Sequence, residues 1–171
     1  MDRQPTLSGA LVRLRPLRES DRDVLFAIAS DPLVWAQHPA HDRWKPEVFT
    51  EFFDDALARG GALAVHDART GALIGSSRFQ SHDEADGGSV EIGWTFLSRD
   101  YWRTGANREM KRMMLDHAFQ SVACVFFSVG EENHRSRRAM AGIGAEPTGE
   151  VDVRDTPTGV VRIMRYEIRR P

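Results

Sequence analysis

Between a strand-like run and a helix-like run lies Tyr101-Trp102-Arg103-Thr104-Gly105-Ala106-Asn107, the stretch that most constrains this chain. Before it, Val90, Ile92, Trp94 and Phe96 alternate with Glu91, Gly93 and Thr95, the period of a strand with one apolar face. After it, Ala106, Met110, Met113, Met114 and Ala118 recur at the spacing of one helix face. A glycine at such a junction permits a tight turn and brings bare N–H groups close to a ligand. The first turn of a helix carries unpaired N–H donors and partial positive charge, which suits phosphate. The junction therefore predicts an anion cradle, with a ligand-free tight loop as the alternative.

The remaining elements follow from the same periodicities. Leu11-Val12-Arg13-Leu14-Arg15-Pro16-Leu17 reads as a first strand ended by proline. Ser20 reads as the N-cap of a helix whose apolar face is Val24, Leu25 and Ile28, closed at Asp31-Pro32. Residues 33–44 lack a period, and a second helix follows Pro46. Strands are predicted over 62–66, 72–79, 88–97 and 122–129, with a helix opened by Asn133 and ended by Gly142 and Gly144. Two closing strands flank a turn at Asp155-Thr156-Pro157-Thr158-Gly159.

Three successive strands imply an antiparallel meander, and strand–helix–strand units imply parallel pairing. The expected class is mixed α/β, a central mostly antiparallel sheet of about seven strands with helices on both faces. At 171 residues one domain is expected, spanning 1–171. A net charge of −2 lacks the basic excess of a nucleic-acid binder, and no window is apolar enough to span a membrane. The N-terminus has no apolar signal core, so the expected location is cytoplasmic. The single cysteine, Cys124, lies in an apolar run and reads as a buried structural thiol.

Three stretches give the chain a resemblance to the GNAT acetyltransferase superfamily, and within it to the bacterial-type ribosomal-protein N-acetyltransferases. They are Leu14-Arg15-Pro16-Leu17 followed by Asp21, then Glu91-Ile92-Gly93-Trp94, then Asn133-His134-Arg135-Ser136-Arg137-Arg138 leading to Ile143-Gly144-Ala145. The resemblance implies an acetyl-CoA-dependent N-acetyltransferase acting on a primary amine, either a protein N-terminus or a small molecule. It also allows a homodimer. The family's pyrophosphate loop maps onto Trp102, Gly105 and Asn107, where Asn107 departs from the usual small residue. The N–H groups of Arg103, Thr104, Gly105, Ala106 and Asn107, with Arg108 next, would hold the pyrophosphate. Phe96 and Leu97 would pair with the pantetheine arm as a false strand. Asn133 would contact the pantetheine arm, with a plain helix N-cap as the alternative, and the small Ser136 would let the arm pass that helix.

Acetyl transfer requires a neutral amine, a polarised thioester carbonyl and a proton for the leaving thiolate. Glu91 is the candidate base, because a carboxylate placed mid-strand usually has a partner or a task. A salt-bridged glutamate is the alternative. The family's usual tyrosine acid is replaced by Met140, and spacing places neither Tyr101 nor Tyr166 in that role. This gap motivates a rival reading, a non-catalytic acyl-CoA sensor. By the same resemblance Trp35, His38 and Trp44 would shape the acceptor pocket, with a loop packed by its own aromatics as the alternative. His38 and His41 lack a third ligand at metal-site spacing, so no metal is expected. The acidic run His82, Asp83, Glu84 and Asp86 reads as a lure for a cationic acceptor or as a solvated turn. Arg135, Arg137 and Arg138 read as contacts to the adenosine 3′-phosphate or as a wet helix face.

Overall fold

Each strand-period or helix-period run forms its element, with ends that shift by a few residues. The computed structural model describes residues 1–156 and 159–170. In chain order the elements are β1 (Leu7–Ser8), β2 (Val12–Pro16), α1 (Arg22–Ala29), α2 (Pro32–Trp35) and α3 (Pro46–Arg59). There follow β3 (Ala62–Asp67), β4 (Leu73–Asp83), β5 (Ser89–Leu97) and α4 (Ala106–Ala118). The chain ends with β6 (Cys124–Gly130), α5 (His134–Gly142), β7 (Glu146–Thr156) and β8 (Gly159–Arg169). Pro157 and Thr158 of the predicted final turn lie outside the described residues.

The sheet has eight strands in the order β1-β2-β3-β4-β5-β6-β8-β7. One strand more than expected appears because β1 has only two residues, too few to show a period. Among the described strands only β5 and β6 run parallel, joined by α4. One face of the sheet packs on α4 and α5 through Phe79, Val90, Ile92, Met110, Met114, Phe127 and Met140. The other packs on α1, α2 and α3 through Leu25, Trp35, Phe49, Phe53, Ala64 and Phe96.

Two departures matter for the site. First, the expected single apolar face of β5 is broken. Arg78 of β4 opposes Gly93 and Ser76 opposes Phe96, so Trp94 and Thr95 together face one residue, Ser77. This β-bulge places Trp94 at φ +52° and reverses the alternation beyond it. Val90, Ile92 and Leu97 consequently face α4, whereas Phe96 packs with Trp35 on the α3 side. Second, Ser20 does not cap α1. A short 3₁₀ turn, Glu19–Asp21, precedes the helix. Asp21 holds the Arg15 guanidinium through two hydrogen bonds of 2.8 and 2.6 Å and accepts the Arg18 N–H at 2.9 Å. The bidentate pair at the end of β2 outweighs a serine cap.

Candidate active site

Parallel pairing of β5 with β6 covers only Ser89↔Cys124, Val90↔Val125 and Glu91↔Phe126. Beyond Glu91 the two strands part, and the fork opens into a cleft of about 1290 Å³. Its walls combine β5, β6, the loop before α4, α5 and the segment between α2 and α3.

Glu91 therefore sits on the last paired rung, at the root of the fork. Its cross-strand partner is Gln80, and Arg78 on the same face reaches Asp55 of α3, so Glu91 faces the α3 side. Glu91 is 8% exposed and lines the cleft, and its carboxylate accepts a 3.3 Å hydrogen bond from Ser81 Oγ. Gly93, two residues on, leaves space beside it: a Cβ there would stand 3.7 Å from Glu91 Oε1. No salt bridge engages this carboxylate among the described residues.

The loop into α4 has the geometry of an anion nest. Arg103 adopts φ +63° and Gly105, the residue preceding the helix, φ +94°. Thr104 Oγ1 donates to Tyr101 O at 2.8 Å and accepts the Ala106 N–H at 3.3 Å, which fixes the turn. Trp102 Nε1 donates to Leu97 O at 3.1 Å, and the Arg135 guanidinium lies 4.1 Å from the Trp102 ring centroid. Arg103, Gly105, Asn107 and Arg108 line the cleft, as do Leu97, Asn133 and Ser136. Thr104 is exposed, Ala106 is buried beneath the loop, and the Phe96 ring is turned onto Trp35. Asn133 caps α5, accepting the Ser136 N–H at 3.2 Å. Of the three arginines on α5, Arg135 and Arg138 reach the cleft, but Arg137 donates to Tyr166 Oη and Glu131 O instead.

On the acceptor side, Trp35 and His38 line the cleft. Trp35 is anchored by its Nε1 donating to Ala29 O at 2.8 Å. His38 Nδ1 accepts the Ala40 N–H at 2.9 Å, which leaves the ring proton on Nε2. Burial, reinforced by Arg43 and Arg135, holds the imidazole well below its ordinary pKa, so it is neutral at pH 7. Trp44 does not join them. The turn closed by Lys45 N–H to Asp42 O carries its ring outward, where it is 39% exposed and off the cleft. His82 and Asp83 end β4, Glu84 and Asp86 lie in the exposed turn after it, and all four are away from the cleft, with Asp83 Oδ1 accepting the Ala85 N–H.

Three basic groups near the cleft escaped sequence reasoning. Arg43 lines the acceptor wall against the rings of Phe52 and Trp35, at 4.6 and 5.4 Å. Burial and the neighbouring Arg78 lower its pKa to about 10. Arg78 is buried and paired with Asp55 at 2.8 Å. Lys111 is buried in α4, with Nζ 2.6 Å from Thr95 Oγ1 and 3.4 Å from Ser77 Oγ. A signal for Lys111 existed: Met114, Leu115 and Ala118 follow it at i+3, i+4 and i+7, on the apolar stripe.

Potential nucleophiles and acids are placed as follows. Cys124 is buried, off the cleft, and its thiol pKa is pushed up by burial. Met140 lines the cleft and carries no proton to give. Tyr101 Oη is spent on Asp67 Oδ2 at 2.8 Å, and Tyr166 lies in the core. No group of three metal-ligating side chains comes together among the described residues.

A family model described as an acetyltransferase (GNAT) domain matches residues 12–146. The chain belongs to the GNAT acetyltransferase family. As a GNAT protein it is an N-acetyltransferase that uses an acyl-CoA donor. Solved structures repeat the fold over nearly the whole chain. A GCN5-related N-acetyltransferase from Brucella melitensis is 22% identical, with TM-score 0.79 over 97% of this chain and 79% of that one. The ribosomal-protein-S5-alanine acetyltransferase from Vibrio fischeri is 14% identical, with TM-score 0.73 over 97% of both chains. Spermidine N-acetyltransferase from Vibrio cholerae, in complex with CoA and spermine, is 16% identical, with TM-score 0.70 over 94% and 96%. No helix among the described residues of this GNAT chain is long and apolar enough to cross a membrane.

Proposed function

We propose that this protein, as a single domain spanning 1–171, transfers an acetyl group from acetyl-CoA to a primary amine by direct attack. The observation that carries this reading is the position of Glu91 at the root of the β5/β6 fork, in one cleft with the nest before α4. Phosphate suits that nest. It combines left-handed backbone at Arg103 and Gly105 with the first-turn N–H groups of α4, and Arg108 and Arg138 add positive charge. Arg103, Gly105, Asn107 and Arg108 would hold the pyrophosphate. Leu97, Asn133 and Ser136 would border the pantetheine arm.

Glu91 takes a proton from the ammonium acceptor, directly or through water, and the freed amine attacks the thioester carbonyl. The carbon–sulfur bond then breaks and the electron pair leaves on sulfur. With Cys124 buried off the cleft, the transfer needs no acyl-enzyme. The acceptor wall of Trp35, His38 and Arg43 excludes water and positions the amine. The relatives named for an S5 alanine and for spermidine share one requirement, a primary amine. Either a protein N-terminus or a small-molecule amine satisfies it.

A thiol-release assay with acetyl-CoA and a panel of primary amines tests this reading. Release with at least one amine is expected. Met140 favours one rival, an acyl-CoA sensor on the same fold. Tight coenzyme binding with no thiol release from any amine would decide for the sensor.

A further inference from the structure

Lys111 presents an unusual arrangement. The residue is 3% exposed, yet no carboxylate hydrogen-bonds or ion-pairs with it among the described residues. Its partners are two hydroxyls, Thr95 Oγ1 and Ser77 Oγ, and the Phe127 ring, whose centroid lies 5.7 Å from Nζ. Burying a cation without a counter-charge is expensive, so a fold seldom does it without a use. The β5 bulge creates the arrangement: by reversing the alternation at Trp94 it aims Thr95 at α4. Lys111 also lines the same cleft as Glu91 and Met140.

The two ionisable groups approach the fork from opposite faces. Glu91 faces α3 and the acceptor wall, whereas Lys111 reaches in from α4. The pyrophosphate nest opens α4 itself, so under the acetyl-transfer reading the coenzyme arm and its sulfur enter from the Lys111 side. The amine would arrive from the Glu91 side. The base and the cation thus flank the position where the carbon–sulfur bond breaks.

Building on that reading, we propose that Lys111 is the proton donor to the departing coenzyme thiolate, the role left empty by Met140. As the bond breaks, its electron pair moves onto sulfur and one Nζ–H proton follows, giving the free thiol and a neutral lysine. The first proton of the ammonium resides on Glu91, and the second, shed by the nitrogen as the amide forms, passes through cleft water to the neutral lysine and restores its charge. Burial lowers the lysine pKa to about 7, so a donatable proton is held only weakly at working pH. Other charges around it do not take over this duty. Glu109 is bound to the 10–12 backbone, and Arg78 faces α3. Arg108, Arg135 and Arg138 share the cleft but make no bond to Lys111.

The test compares wild type with Lys111→Met and Lys111→Arg, using acetyl-CoA and the best acceptor among spermidine, amino-acid amides and alanine-led peptides. Lys111→Met replaces a buried cation with an apolar chain of similar length, so its melting temperature is expected to match or exceed wild type. Its kcat should fall ~10²-fold with acetyl-CoA affinity unchanged, and the fall of kcat above about pH 7 should vanish. Lys111→Arg keeps the charge but holds its protons, and should be equally slow. Full kcat in either variant would overturn the proposal. So would a loss confined to acetyl-CoA affinity, which would make Lys111 a contact to the arm. If wild type releases no thiol with any amine, acetyl transfer fails and the proposal fails with it. An active wild type beside an equally active Lys111→Met sinks the proton donor alone.

Discussion

Glu91 and Phe126 form the last hydrogen-bonded rung between β5 and β6, and everything beyond that rung is cleft. A carboxylate at the root of a fork is shielded from bulk water yet open to whatever occupies the gap. Below the gap Glu91 faces the acceptor wall, opposite the α4 side from which Lys111 reaches the cleft.

Gly105 should be intolerant of a side chain. Its φ of +94° disfavours L-residues, and a Cβ would meet Leu11 Cδ1 at 3.2 Å. Gly105→Ala is expected to weaken acetyl-CoA binding about tenfold, equivalent to ~1.4 kcal/mol. Calorimetric titration measures the affinity, and a thermal melt separates it from a stability loss of about 1 kcal/mol.

Gly130 ties the acceptor segment to β6. A Cβ there would stand 2.5 Å from Pro39 Cγ, so Gly130→Ala must push residues 38–40 aside. The acceptor KM is expected to rise several-fold while acetyl-CoA affinity changes less than twofold. Steady-state kinetics with each substrate varied in turn reads the split.

Asp21 should give the fold an acid-sensitive brace. Burial alone would raise its pKa, but the hydrogen bonds from Arg15 and Arg18 outweigh it and hold the carboxyl below its usual value. A depressed folded pKa contributes stability above the unfolded value of about 3.9 and loses it as pH falls through the folded value. Asp21→Asn is expected to destabilise by about 2 kcal/mol at pH 7, with the gap to wild type closing below about pH 4. Urea unfolding at both pH values checks the sign.

The junction before α4 and the asparagine cap of α5 were legible because their signals are local: a glycine at a turn, a short polar side chain at a helix start. The β5 bulge was not, since it exists only relative to Ser77 on β4, a pairing that periodicity within one strand cannot show. Phe96 changed sides for that reason, and Thr95 turned toward Lys111. Within the acceptor segment, Trp35 sits on α2 and is held by Ala29, whereas the direction of Trp44 depends on a turn without a composition signal. Arg43 and Arg78 carry no local signal, because it is tertiary packing against Phe52 and Asp55 that draws them in.

Acetyl transfer in this cleft with Glu91 as base makes turnover depend on one carboxylate, which Glu91→Gln removes. The substitution keeps size and hydrogen bonding but removes proton acceptance. Thiol release from acetyl-CoA with the best amine acceptor should fall ~10²-fold, about 2.7 kcal/mol in the barrier, with coenzyme affinity unchanged. Turnover equal to wild type at every pH would contradict the account.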